Sequence, residues 1–205
     1  MTDRTLLNAR KPAMDEYGFA VLERMNKSHY ELTQWGLDHV DKDKAETILD
    51  VGCGGGMTVK RLADSTNAIV FGVDVSEASV AKTVELNAEN VASGRVKAVV
   101  GSAESLPFGK ETFDLVTAFE TTYYWNDLTQ CFSGVREILR PGGVFLVCNE
   151  DRDRSRPVVA ENADALGMTL YGSGELASHL TAAGFREVRA FDHENGCWVC
   201  AVGIK

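Results

Sequence analysis

The sequence is short of several things, and each shortage closes off a class of function. Its 21 Lys and Arg are outnumbered by 30 Asp and Glu, for a formal net charge of −9. Duplex DNA and structured RNA are gripped through many cationic contacts to phosphate, so no nucleic-acid partner is expected. The same deficit disfavours an anionic membrane surface. No run approaches the ~18 apolar residues of a membrane span, and the opening MTDRTLLNARKP lacks a signal peptide's apolar core. A cytoplasmic location with no membrane partner is therefore expected. Cysteines are few and odd in number, five. Cys197 and Cys200 form a lone C-x-x-C, and a structural zinc would want two more ligands nearby. Free buried thiols and no metal site are expected. Repeats and low-complexity tracts are absent, and 205 residues fit one domain with an apolar core of its own.

What is present alternates. Residues 13–40 read as helical, with Val21, Leu22, Met25, Leu32, Trp35 and Leu37 at three-to-four spacing. Asn26, Lys27 and Ser28 interrupt the pattern, so one helix and two are equally good readings. Beyond the polar run 41–46, strands are expected at 47–51, 68–73, 96–100, 113–119 and 144–149. The run AIVFGV at 68–73 is continuously apolar, as in a strand buried on both faces. Helices are expected at 58–63, at 127–139 before Pro141-Gly142-Gly143, and at 175–183 before Gly184. Another is capped by Ser76, with Ala81, Val84, Ala88 and Val91 as its apolar stripe. Two final strands, 186–192 and 197–204, flank an Asn195-Gly196 turn. The fold class implied is α/β: a doubly wound, mostly parallel sheet with a C-terminal antiparallel hairpin.

The sharpest local signal is Ile48-Leu49-Asp50-Val51-Gly52-Cys53-Gly54-Gly55-Gly56, a strand running into a glycine turn and then a helix. Glycine serves where a backbone turns tightly or lets a ligand approach. At the carboxyl edge of a parallel sheet, nucleotide-like ligands bind at such turns. A dinucleotide fingerprint would need glycine where Met57 stands, and a triphosphatase loop would need a lysine that is absent. Asp74, after the next strand, is placed to accept from both ribose hydroxyls.

LDVGCGGG, VFGVDVS, GSAESLPF, FDLVTAFE and LRPGGVFLV, in this order, resemble the class I S-adenosylmethionine-dependent methyltransferases. The nearest look is to the small bacterial branch that includes quinone-biosynthesis C-methyltransferases. The resemblance covers 47–205, and it implies one domain over 1–205. In it residues 1–44 form a helical cap and 45–205 the cofactor-binding core. It implies S-adenosyl-L-methionine as cofactor, with Gly52, Gly54 and Gly56 under its methionyl part and Asp50 orienting the amino group. Asp74 would take the ribose and Val75 the adenine face. Ser102 stands where the family often has Asp, so Ala103 and Glu104 complete the adenine site and Glu104 can replace the missing carboxylate. Phe119 and Glu120 would lie beside the methyl.

Methyl transfer from a sulfonium is an in-line displacement, helped by a base when the acceptor carries a proton. His29 breaks an otherwise amphipathic cap and is the general-base candidate. Glu120 and Tyr124, in the aromatic loop Glu120–Trp125, complete the catalytic set, and Glu150 or Asp151 could touch substrate. His39, His179 and His193 look solvated. The loop lacks the [DN]-P-P-[YF] pattern of amide and base-amine methylation, so a small-molecule acceptor is expected, its atom oxygen, nitrogen, sulfur or carbon. A non-catalytic adenosyl-binding protein and an NAD-dependent dehydrogenase are the alternatives.

Overall fold

Seven strands form one sheet in a computed structural model that describes residues 8–205. They are β1 (Thr47–Val51), β2 (Ile69–Asp74), β3 (Val96–Val100), β4 (Phe113–Phe119), β5 (Leu139–Asn149), β6 (Arg186–Asp192) and β7 (Val199–Ile204). Their order is β3-β2-β1-β4-β5-β7-β6, with β1 to β5 parallel and β7 antiparallel to both neighbours. The helices are α1 (Glu16–Ser28), α2 (Tyr30–Leu37), α3 (Met57–Ser65), α4 (Glu77–Leu86), α5 (Ala88–Ala92), α6 (Leu128–Ile138), α7 (Pro157–Leu166) and α8 (Ser173–Ala182). From β1 the chain winds one way to β2 and β3, then crosses back to β4. The crevice outside the carboxyl ends of β1 and β4 is therefore a topological switch point.

The core has two layers because the sheet is covered on both faces. Ile48 and Leu49 are adjacent in sequence and both fully buried, yet they enter different layers. Leu49 packs with Val116, Phe132, Phe145 and Leu180, and Ile48 with Leu62, Val70, Leu146 and Val202. This is why the inner strands carry unbroken apolar runs. Each such side chain contributes roughly 1.5–3 kcal/mol.

Several local expectations change. The first helical stretch is two helices that meet at His29, and Asp15 caps the first by accepting from the N–H of Gly18 at 2.9 Å. The helix after Ser76 breaks at Asn87, and the expected stripe is not its buried face. Ala78, Ser79 and Thr83 are buried there, whereas Val84 is exposed. α6 ends at Ile138 as the Pro-Gly-Gly signal requires, but the strand begins at once, so Pro141 to Gly143 lie within β5. The last strand starts at Val199, leaving half-exposed Cys197 in the connection while the other four thiols are buried. His39 stacks on Phe191 with centroids 3.9 Å apart, His193 packs on Trp35 and Trp198, and His179 meets the Thr129 hydroxyl at 2.7 Å. None of the three is a freely solvated ring.

Candidate active site

The glycine loop is tied to its neighbouring strand before any ligand arrives. Gly52 and Cys53 donate their N–H groups to the Val73 carbonyl at 2.8 and 3.1 Å, and Gly54 donates to Asp74 Oδ2 at 3.0 Å. The other Asp74 oxygen accepts from the N–H of Ser76 at 2.9 Å. Two of the glycines have different reasons to be there. A Cβ on Gly56 (φ +82°) would lie 2.6 Å from the Thr83 Cα, so that position is reserved for packing against α4. At Gly54 (φ +50°) a Cβ would meet nothing nearer than Leu22 at 4.0 Å, so that glycine keeps the crevice wall bare. Gly52 and Gly54 line the crevice; Gly56 lies behind them and is not on its wall.

The wider half of the crevice is a cavity of about 450 Å³ lined by Asp74, Val75, Gly101, Ala103, Glu104 and Trp125, among others. Val75 is 40% exposed there, an apolar face without a protein neighbour over it. Ser102 does not reach this wall. Its hydroxyl instead donates to the Glu104 carboxylate, which also accepts from the Asn126 side chain at 3.4 Å. Burial pushes the Glu104 pKa up, but these donors outweigh it and hold the group below its ordinary value. Glu104 is thus the ionised carboxylate facing the cavity.

The narrower half, about 80 Å³, shares Gly52, Asp74, Thr121 and Tyr124 with the wider one. The α1–α2 pair supplies Leu22, Met25, His29 and Thr33, and the end of β4 supplies Phe119 and Glu120. His29 Nε2 lies 3.8 Å from Glu120 Oε2 and 4.0 Å from Glu150 Oε2. Glu120 sits at φ +57°, a left-handed conformation that costs a non-glycine residue roughly 1–3 kcal/mol. Its oxygens are held by the Tyr123 hydroxyl at 2.6 Å and by the N–H of Glu150. Burial drives its pKa to about 7, the donors opposing and Asp151 reinforcing the rise. Burial lowers the His29 pKa despite Glu150 nearby, so the imidazole is neutral and can accept a proton. One ligand atom from each of His29, Glu120 and Glu150 lies within 4.8 Å of the others, the arrangement among the described residues that could hold a cation. Asp50 lies beneath the site. It is 2% exposed, accepts from the Thr117 hydroxyl at 2.7 Å, and touches neither cavity. Burial raises its pKa to about 7.

Residues 49–147 match a family model described as a methyltransferase domain. This chain carries a class I methyltransferase domain. The matching O-methyltransferase cnsE of Penicillium expansum is 29% identical over 152 residues, 73% of this chain and 55% of that protein. Erythromycin 3''-O-methyltransferase of Saccharopolyspora erythraea is 34% identical over 63% of this chain and 42% of its own length. The chain thus spans about half, or less, of these relatives. The likeness reaches fungal as well as bacterial proteins, beyond the branch the motifs most resembled. Among solved structures, Haemonchus contortus phosphoethanolamine N-methyltransferase 2 with S-adenosyl-L-methionine superposes with a TM-score of 0.79. It is 15% identical and covers 100% of this chain and 60% of its own. The [4+2]-cyclase SpnF superposes at 0.73, with 18% identity over 99% of this chain and 93% of its own. At such identities the shared property is the fold.

The methyltransferase site also uses residues that no motif announced. Arg10 borders both cavities, and the segment that carries it is held by a 2.6 Å bond from the Ser76 hydroxyl to the Pro12 carbonyl. Asn26 of α1 donates to the Gly55 carbonyl at 3.0 Å, docking the helical pair on the loop. Of the aromatic loop, Tyr124 lines the crevice, whereas Tyr123 and Trp125 are 6% and 7% exposed and serve mainly as packing. The arginines after β5 are tied down by ion pairs, Arg156 to Asp151, Arg154 to Asp164 and Arg152 to Asp192, which does not favour a loose lid.

Proposed function

We propose that this chain transfers the methyl group of S-adenosylmethionine to a small-molecule acceptor by in-line displacement. The observation that carries the reading is the two-part crevice at the switch point, with Asp74 on the wall common to both parts. The wider part has the volume of an ordinary small-ligand pocket, which starts at roughly 300 Å³. Bound there, the cofactor would supply an electrophilic methyl on a cationic sulfonium. Asp74 accepts from the ribose hydroxyls, Glu104 from the adenine amino group, and Val75 and Ala103 pack on the base. Gly52 and Gly54 let the methionyl chain pass, while Gly56 and Asp50 brace that loop from behind. Phe119 and Tyr124 flank the sulfonium, a cation–π contact worth about 0.5–2 kcal/mol per ring. Glu120 and neutral His29 take the acceptor's proton where it has one. At about 80 Å³ the narrow half is too small for the methionyl chain and an acceptor together, so the helical pair must shift when both bind.

Residues 1–44 act in this reading as the cap and 45–205 as the core of one domain. The small-molecule acceptor fits the names of the relatives, and the acidic balance disfavours a nucleic-acid substrate. Among the described residues no helix is long and apolar enough to cross a membrane. Free thiols at all five cysteines suit the reducing cytoplasm.

Calorimetric titration with S-adenosylhomocysteine, followed by a screen of phenols, thiols, amines and carbon nucleophiles for its release, tests the proposal. Binding and turnover are expected; failure to bind the homocysteine product at all would sink it. Binding without turnover on any acceptor would favour a non-catalytic adenosyl-binding role.

A further inference from the structure

The wall of the narrow cavity carries a cation for which the roles above give no use. Arg61 projects from α3, the helix that follows the glycine loop, and borders the cavity beside Asn26, Met57 and Thr58. Its guanidinium carbon lies 3.8 Å from the centroid of the Tyr30 ring, and Nη1 donates to the Tyr30 carbonyl at 3.0 Å. The group is therefore held in one orientation by α2. Its second nitrogen, Nη2, is enclosed and has no hydrogen-bond partner among the described residues. An enclosed donor of a charged group left without an acceptor is costly, and guanidinium favours carboxylate as a partner. The first turn of α3 adds to this. Its N-cap is Gly56, and no side chain accepts from its leading N–H groups.

We propose that Arg61 binds the α-carboxylate of the cofactor's methionyl group. This rests on the S-adenosylmethionine reading above. Adenine and carboxylate are the two ends of that molecule, and Arg61 borders only the narrow half, away from Val75 and Glu104. Asp74 and Glu120, on the same narrow cavity, repel an anion from their own positions and attract the α-ammonium. The carboxylate is left to the arginine.

The test compares two thioethers on the full chain by calorimetry: S-adenosylhomocysteine and its analogue lacking only the α-carboxylate. Wild type should favour the carboxylate-bearing ligand by roughly 10–100-fold, the range for a hydrogen bond to a charged group. Arg61→Gln should remove that preference, weakening S-adenosylhomocysteine while leaving the decarboxylated analogue unchanged. Arg61→Lys, which keeps the charge and most of the stem, should fall between and carries the comparison if the glutamine variant melts early. Equal weakening of both ligands would reduce Arg61 to a packing role against Tyr30 and overturn the assignment. Unchanged binding of both would overturn it too, freeing the arginine for an acidic acceptor. Wild type that binds neither ligand would show instead that the cofactor reading has failed, and this proposal with it.

Discussion

The two halves of the crevice are made in different ways. The wide half is built from strand ends and the turns that leave them: Asp74 closes β2, Gly101 to Glu104 follow β3, and Gly52 follows β1. Its geometry is fixed by the parallel ladder and by backbone bonds such as that from the N–H of Gly52 to Val73. The narrow half takes much of its wall from α1 and α2, which dock on the loop partly through Asn26 and Gly55. One half is a property of the sheet; the other depends on where two helices come to rest. A fixed cofactor site beside an adjustable acceptor site is what lets one fold serve many acceptors.

Substitutions in the two halves should therefore separate binding from turnover. The largest effect is expected at Asp74→Ala, which removes the ribose acceptor and the partner of the Gly54 N–H together. S-adenosylhomocysteine affinity should fall about 100-fold or more, since two charge-assisted bonds are lost. Tight binding retained by that variant would remove Asp74 from the site. Glu120→Gln should do the reverse, lowering kcat about 100-fold with product affinity little changed. Its pH signature has a defined sign. The folded pKa near 7 lies above the ordinary carboxylate value, so wild-type kcat should climb as pH passes through about 7 and the carboxylate ionises. Because that pKa is raised, the group's contribution to stability is full below the unfolded pKa and is lost as pH rises towards 7. Asp50, also near 7, acts in the same direction, so urea midpoints of Glu120→Gln should keep part of this slope.

The same division runs inside the glycine loop. Gly56→Ala forces a left-handed alanine into the Thr83 backbone and should cost about 3 kcal/mol of stability. Gly54→Ala has open space and should cost only about 1 kcal/mol, the strain of its left-handed backbone. Its methyl group would stand in the crevice and should weaken S-adenosylhomocysteine about tenfold or more. Urea unfolding and calorimetry on the two variants read both numbers, and equal behaviour would erase the distinction.

Legibility in the sequence follows the same line. Strand order, the glycine turn and Asp74 are local features, each visible in a run of a few residues. His29 shows as a break in an apolar pattern, but its approach to Glu120 and Glu150 needs three distant elements to meet. Ser102 misleads because the carboxylate that faces the cavity is two residues on, at Glu104. Arg10 and Arg61 are silent, since one arginine in a helical or polar stretch looks like any solvated side chain. Glu150 is partly legible, as the residue following a strand.

The α4 stripe fails for a reason that supplies the smallest effect. Apolar periodicity assumes that a helix buries its apolar face, yet α4 packs on a loop whose carbonyls need donors. Thr83 donates to the Gly54 carbonyl at 3.1 Å, and Asn87 donates to the Gly56 carbonyl at 3.2 Å. The buried face is polar because the loop it supports is bare backbone. Thr83→Val keeps the shape and removes the hydroxyl, leaving the Gly54 carbonyl without that donor. About 1 kcal/mol of stability should be lost. S-adenosylhomocysteine affinity should fall by a factor of about five, the same energy if the loosened loop must be reordered on binding. A fall in stability without any change in affinity would show that the loop is held by β2 alone. The wide half would then owe nothing to α4.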